Sequence, residues 1–246
     1  MILYINGEII GTEWQWLYDW FDIPAVSPGR VREGLAGLSQ GEEVTVEINS
    51  PGGSVFAGFE IYSILRGLGD RVTAHVQSLA GSAASTVMAG CARVLLSPVA
   101  QVMIHLPAVV SDGDAPEHRH TADVLDSITQ SILEGYLSRP GIRADRETLR
   151  ALMEEETWLP APRAVELGLA DGILGEGAPS PAQVVNALGG ASRPGELLAR
   201  YEALVRAGRA APAEGHPVDP GPGNQNWDDW RARARLDIER NRYIHI

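Results

Sequence analysis

Three short segments hold residues whose types and spacing suit chemistry. In Ala80-Gly81-Ser82-Ala83-Ala84-Ser85, a serine sits among residues too small to cover it, where a strand should give way to a helix. A helix N-terminus offers unpaired amides and a positive dipole end, which suit an alkoxide or a tetrahedral oxyanion. In Val102-Met103-Ile104-His105-Leu106-Pro107, a histidine ends an apolar run and the proline after it stops regular pairing. Such an imidazole can be aimed into a cleft from a rigid element, and it titrates in the range of a general base. In Asn49-Ser50-Pro51-Gly52-Gly53-Ser54, paired glycines predict a sharp turn whose amide N–H groups can face an oxyanion. Together these pieces suit attack by a serine hydroxyl, with the imidazole taking its proton and amides holding the oxyanion. Each alone also has an ordinary reading: close packing of small residues, a satisfied core histidine, a common turn.

Composition removes several alternatives. The chain has no lysine, and all 20 basic residues are arginine. Arginine does not give a neutral base near pH 7, so lysine-base and Schiff-base mechanisms are excluded. The single Cys91 cannot form an internal disulfide, and no Cys/His cluster has zinc-ligand spacing. No metal and no cofactor are therefore expected. The net charge of −12 argues against nucleic-acid partners. That charge is uneven: residues 1–176 hold 24 acidic and 11 basic residues, whereas residues 177–246 hold 8 and 9. No run of eighteen apolar residues suggests a membrane span. The opening Met1-Ile2-Leu3-Tyr4-Ile5-Asn6-Gly7-Glu8 has no basic region or cleavage signal, so a cytoplasmic location is expected.

The elements that must position the three segments follow from periodicity. Residues 1–10 predict a strand ending at a Gly7 turn, and Glu43–Ile48 a strand with Val44, Val46 and Ile48 on one face. Helices are expected over Val31–Leu38, Phe56–Leu68, 117–138, Asp145–Glu155 and Ala161–Leu167. Further strands fall at Val72–Val76, Val94–Leu96 and Val102–Ile104, and Ile173-Leu174 closes the domain. The aromatic run Trp14–Phe21 reads as a short helix or an insertion packed on the core. This alternation predicts an α/β domain with a largely parallel sheet. From about Gly175 the texture becomes Gly, Pro, Ala and Ser, which is linker composition. The expected division is a domain at 1–175, a linker at 176–225 with a helix over Glu196–Ala207, and an amphipathic tail at 226–246.

The order and spacing of the motifs resemble the Clp peptidases. Pro-Gly-Gly comes first, then the small-residue serine, then Ile-His-x-Pro with His105 lying 23 residues after Ser82. The likeness continues through Glu156-Thr157-Trp158-Leu159-Pro160-Ala161 and Ala164-Val165-Glu166-Leu167-Gly168-Leu169-Ala170-Asp171, over roughly residues 1–174. It implies a Clp/crotonase-type α/β domain, with a mainly parallel sheet and flanking helices plus a C-terminal extension. It also implies serine endopeptidase activity. Residue by residue, the nucleophile falls on Ser82 and the base on His105. The oxyanion donors fall on the Gly53 and Ala83 amides, with Gly52 shaping the turn. Ser85 is the competing serine, and the count to Ala89-Gly90 favours Ser82. The acidic member falls on Glu156, two residues before Trp158, with Glu154 and Glu155 beside it.

The Glu-Thr-Trp-Leu motif and the long stretch after the domain are similar to the phage and prophage branch, the head-maturation proteases. That likeness implies capsid or scaffold proteins as substrates, a homo-oligomeric ring (a heptamer or stacked rings) and the host cytoplasm as setting. The chain starts almost directly at the first strand, which puts an ATPase partner in doubt. The alternatives are a general ATP-dependent Clp protease subunit and a catalytically inactive ring-forming assembly protein. A Ser–Lys peptidase of the same fold is excluded by the missing lysine. An acyl-CoA hydratase or isomerase would not need Ser82 and His105 in these places.

Overall fold

A computed structural model describes residues 1–175 and 194–206. Strand β1 (Ile2–Ile9) leads through a 3₁₀ turn (Thr12–Trp14) into helix α1 (Gln15–Trp20), strand β2 (Ala25–Val26) and helix α2 (Pro28–Leu35). Two strand–helix units follow: β3 (Val44–Gly53) with α3 (Val55–Arg66), and β4 (Val72–Gly81) with α4 (Ala83–Ala89). Then come β5 (Arg93–Leu96), β6 (Gln101–Ile104), α5 (Ala115–Leu137), α6 (Arg146–Glu154), β7 (Thr157–Pro160), α7 (Ala161–Leu167) and β8 (Gly172–Ile173). Helix α8 (Pro194–Arg206) lies beyond the sheet in sequence. The sheet order is β2-β1-β3-β4-β5-β8, with β6 branching from β4 and β7 lying antiparallel on β6. Among the described residues every other pairing is parallel. This is the expected α/β architecture, with a mainly parallel sheet and flanking helices.

Alternation drives the sheet's packing. Leu3 and Ile5 of β1, Val44, Val46 and Ile48 of β3, and Val72, Ala74 and Val76 of β4 are all buried in one core. Ile61 and Leu65 of α3 and Ile132, Leu133 and Tyr136 of α5 join the same cluster. Each such aliphatic side chain contributes about 1.5–3 kcal/mol on full burial. Helix α4 has no exposed face: all seven of its residues are buried. A Cβ at Gly58 of α3 would lie 3.1 Å from the Ala83 Cβ, so small residues are what let these two helices approach.

Several elements differ from expectation. Pro51-Gly52-Gly53 is not a turn but the end of β3, paired with β1 out to Ile9↔Gly53. Parallel neighbours hold that segment extended, while the glycines absorb φ values of +102° and +143°. Strand β1 likewise does not stop at Gly7: a register shift between Asn6 and Glu8 lets it continue to Ile9. Strand β2 is too short for periodicity to find, and β7 is defined by its antiparallel pairing with β6. Val124 is exposed, and burial on α5 begins only at Ile128, so the first half of that helix stands clear of the core. The aromatic run does form a helix, but it packs in a separate cluster. Ile10, Trp14, Leu17 and Tyr18 meet Leu197, Leu198 and Tyr201 of α8 there. The Tyr201 ring stands edge-on to Trp16 and Trp20, at 5.3 and 4.9 Å between centroids. The amphipathic tail at 226–246 and most of the expected linker lie outside the described residues.

The Leu167-Gly168-Leu169-Ala170-Asp171 motif anchors the far side of the sheet. Asp171 accepts a 2.7 Å hydrogen bond from the Val94 amide and pairs with Arg139, whose side chain is fully buried. Arg139 also donates to the Gly168 carbonyl at 2.8 Å. Replacing Asp171 with Ala would strand a buried guanidinium, at a cost of about 3 kcal/mol. Chemical denaturation should read that loss as a lower midpoint with an unchanged slope. A loss within ~0.5 kcal/mol, the range of a neutral surface change, would show that the pair does not hold the motif in place.

Candidate active site

Strand ends build the site. The second half of β4 pairs with β6 in the register Leu79↔Gln101, Ala80↔Val102, Gly81↔Met103. The ladder runs one bond further, because the Ser82 amide donates to the Met103 carbonyl at 2.8 Å. Ser82 leaves β4 and His105 leaves β6 side by side, and Ser82 Oγ lies 2.9 Å from His105 Nε2. Ser82 has φ 55° and ψ −125°, a conformation rare for a residue with a side chain, at the junction into α4. This sharp strand-to-helix turn aims the hydroxyl of the buried Ser82 at the His105 ring.

Gly52 makes room for this arrangement. A Cβ there would sit 2.6 Å from the Ser82 Cβ, 2.7 Å from the Gly81 carbonyl oxygen and 2.9 Å from the Ala83 nitrogen. Any side chain would therefore cover both the serine and the amide that opens α4. As the first helical residue, Ala83 has no intrahelical carbonyl for its N–H. Gly53 is equally confined, since its Cβ would lie 2.2 Å from the Ile9 carbonyl oxygen. The buried Ser50 hydroxyl accepts the Gly52 amide at 3.1 Å near the end of β3. A serine just before Pro-Gly-Gly carried that signal as a possible side-chain turn, and the sequence reading passed over it.

The expected acidic residue, Glu156, lies just before the next strand. The antiparallel register of β6 and β7 ends at Ile104↔Thr157, and one step further it sets His105 opposite Glu156. Glu156 sits at φ 48°, between the end of α6 and the start of β7. The Met153 carbonyl accepts both the Leu106 amide (3.1 Å) and the Glu156 amide (3.2 Å), tying the residue after His105 to the turn that carries the carboxylate. Among the described residues no carboxylate is hydrogen-bonded to the His105 ring; Glu156 acts on it through space. Burial pulls the His105 pKa below its ordinary 6.5, and the Glu156 charge pushes partly back. Of the neighbouring glutamates, Glu154 forms an ion pair with Arg150 at 2.9 Å, and Glu155 caps α6. The competing Ser85 is fully buried and bonded elsewhere, to the Ser82 carbonyl and the Tyr136 hydroxyl.

A serine hydroxyl against a neutral imidazole, beside open amides, is an arrangement for acyl transfer. The comparisons with known proteins agree. The Clp protease family model matches residues 34–177. The chain is similar to the ATP-dependent Clp protease proteolytic subunit 1 of Chlamydia muridarum, with 34% identity over 142 residues covering 55% of this chain and 72% of that protein. It is also similar to the ATP-dependent Clp protease proteolytic subunit of Bacteroides fragilis, with 29% identity over 142 residues covering 57% of this chain and 68% of the relative. The chain belongs to the Clp protease family and is a serine peptidase, a hydrolase.

The electrostatics give a direct test. Burial favours the uncharged ring, so the His105 ring protons should titrate by NMR with a midpoint below 6.5. Exchanging Glu156 for Gln removes a charge that favours the imidazolium and should lower the midpoint further. A midpoint above 6.5, or one that Glu156→Gln leaves in place, would contradict this arrangement.

Proposed function

We propose that the chain is an endopeptidase in which Ser82 attacks the peptide carbonyl, His105 takes and returns the proton, and Glu156 offsets the imidazolium. The Gly53 and Ala83 amides receive the oxyanion, and Gly52 leaves the space they need. The observation that carries this reading is the 2.9 Å contact between Ser82 Oγ and His105 Nε2, made where two parallel strands end together. Water then releases the acyl-enzyme with His105 as base, and no metal or cofactor enters the sequence of steps. Since His105 must be neutral to accept the proton, activity should rise with pH through a midpoint below 6.5 and be flat at neutrality.

A finer reading concerns the substrate. Helix α1 and helix α8 both fall outside the segment matched by the family model, and they pack on each other. With the Glu156-Thr157-Trp158-Leu159 motif, these additions support a head-maturation protease that trims capsid or scaffold proteins in the host cytoplasm. The free first half of α5 offers a surface on which copies could assemble into rings. A second reading, a general proteolytic subunit served by an ATPase, is favoured by the names of the relatives, which are ATP-dependent Clp proteolytic subunits.

Ser82→Ala should abolish labelling by a fluorophosphonate probe and lower peptide turnover by about 10⁴-fold or more; persistent labelling would refute the nucleophile. Co-expression with phage capsid and scaffold proteins, followed by mass spectrometry, should show trimmed capsid or scaffold with the parent chain and intact protein with Ser82→Ala. Unprocessed capsid, together with degradation of folded proteins only when an ATP-driven unfoldase is added, would favour the second reading.

A further inference from the structure

We propose that Ser85 and Tyr136 are positioning residues: acting through the Ser82 carbonyl, they hold the Ala83 amide in the direction an oxyanion requires. The proposal rests on the reading of Ser82 as nucleophile and Ala83 as oxyanion donor. It begins with a doubly used acceptor. The Ser82 carbonyl takes the Ser85 amide at 2.9 Å and the Ser85 hydroxyl at 2.6 Å. A carbonyl has no proton to give, so the single hydroxyl proton of Ser85 points at Ser82. Tyr136 Oη lies 2.7 Å from Ser85 Oγ and must therefore be the donor in that bond. The result is a directed chain from Tyr136 on α5, through Ser85 on α4, to the backbone of Ser82.

The chain ends on a rigid unit. In a trans peptide the carbonyl and the following N–H are fixed antiparallel in one plane. Whatever aims the Ser82 carbonyl inward thus aims the Ala83 N–H outward, past the open side left by Gly52. This plane needs an anchor, because Ser82 holds a backbone conformation that residues with side chains rarely adopt. Packing alone does not explain the two hydroxyls. Helix α4 otherwise carries Ala, Val and Met, with one more hydroxyl on the buried Thr86 beside Tyr136, and Ser85 and Tyr136 are both buried, where an unbonded hydroxyl is unfavourable. Burial also pushes the Tyr136 phenol above its ordinary value, so it stays protonated and keeps donating.

The test measures second-order rates of fluorophosphonate labelling for the full chain, Ser85→Ala, Tyr136→Phe and the double variant. The phosphoryl oxygen of the probe occupies the oxyanion position, so the rate reads the Ala83 amide. Losing one whole oxyanion donor costs about 10²–10³-fold, and a donor left in place but loosely aimed should cost less. We expect Ser85→Ala to label about tenfold more slowly and Tyr136→Phe about threefold, and the double variant no more slowly than Ser85→Ala, because Tyr136 acts through Ser85. The pH midpoint of labelling should not move, since His105 is untouched. Folded variants that label within about twofold of the parent, the reach of ordinary context effects, would overturn the proposal, as would losses that multiply in the double variant. If Ser85→Ala fails to fold, Tyr136→Phe, which removes one oxygen and keeps the ring, decides alone. Labelling that survives Ser82→Ala would instead bring down the underlying nucleophile reading, and this proposal with it.

Discussion

Strand β4 changes partners halfway along, and the site depends on that change. Its first half pairs with β5 over Thr73–Val76, and its second half with β6 over Leu79–Gly81. Adjacent strands lie roughly 4.8 Å apart, so a direct neighbour of β4 can bring a side chain from its end into bonding range of Ser82. Had β5 continued alongside β4, the histidine strand would stand one place further out, about 10 Å away, beyond the reach of an imidazole. The Ser82 amide bonded to the Met103 carbonyl is the last rung of the new ladder. It sets the spacing of hydroxyl and imidazole by backbone geometry, which is less easily disturbed than a side-chain rotamer.

The same residues serve packing and chemistry, and for one reason. Helix α4 must pass beneath the strand ends while carrying Ser82 at its entrance, and small residues let α3 approach it. Gly52 is needed for the close contact with Ser82 and for the open space at the Ala83 nitrogen. A substitution there would disturb fold and site together, so its effects on the two cannot be separated. The Arg139–Asp171 pair is different. It joins the residues after α5 to β5, through the Val94 amide, and lies next to the edge strand β8.

What was legible in the sequence is what depends on local pattern. The alternation at Val44, Val46 and Ile48 gave β3, and the 3.6-residue pattern gave α3, α6 and α7 close to their observed limits. Ser82 and His105 were legible because small residues and an apolar run with a following proline mark element ends. What was not legible depends on partners. Pro51-Gly52-Gly53 reads as a turn in isolation and becomes strand only because β1 pairs with it through Ile9. The resemblance pointed to Glu156 among three adjacent glutamates, and the antiparallel register of β7 on β6, which no local pattern reveals, puts Glu156 next in line opposite His105. Ser85 looked like a rival nucleophile, and its actual partners come from Ser82 and from a helix 51 residues away in sequence.

Helix α8 shows the same division at a larger scale. Its apolar residues Leu197, Leu198, Tyr201 and Val205 recur at helical spacing, so the element itself was foreseeable. A 13-residue helix is marginal alone and takes its stability from the face it buries. That face meets α1, where Trp16 and Trp20 flank Tyr201 edge-on. The aromatic run at Trp14–Phe21 therefore does two things: Trp14, Leu17 and Tyr18 form a small core of their own, and Trp16 and Trp20 offer a surface to a helix from the other end of the chain. Three tryptophans within seven residues make sense as this second core, because the main core is already closed by aliphatic strands and the small residues of α4. Helices α1 and α8 are thereby joined through side chains that lie outside residues 34–177, the segment matched by the family model.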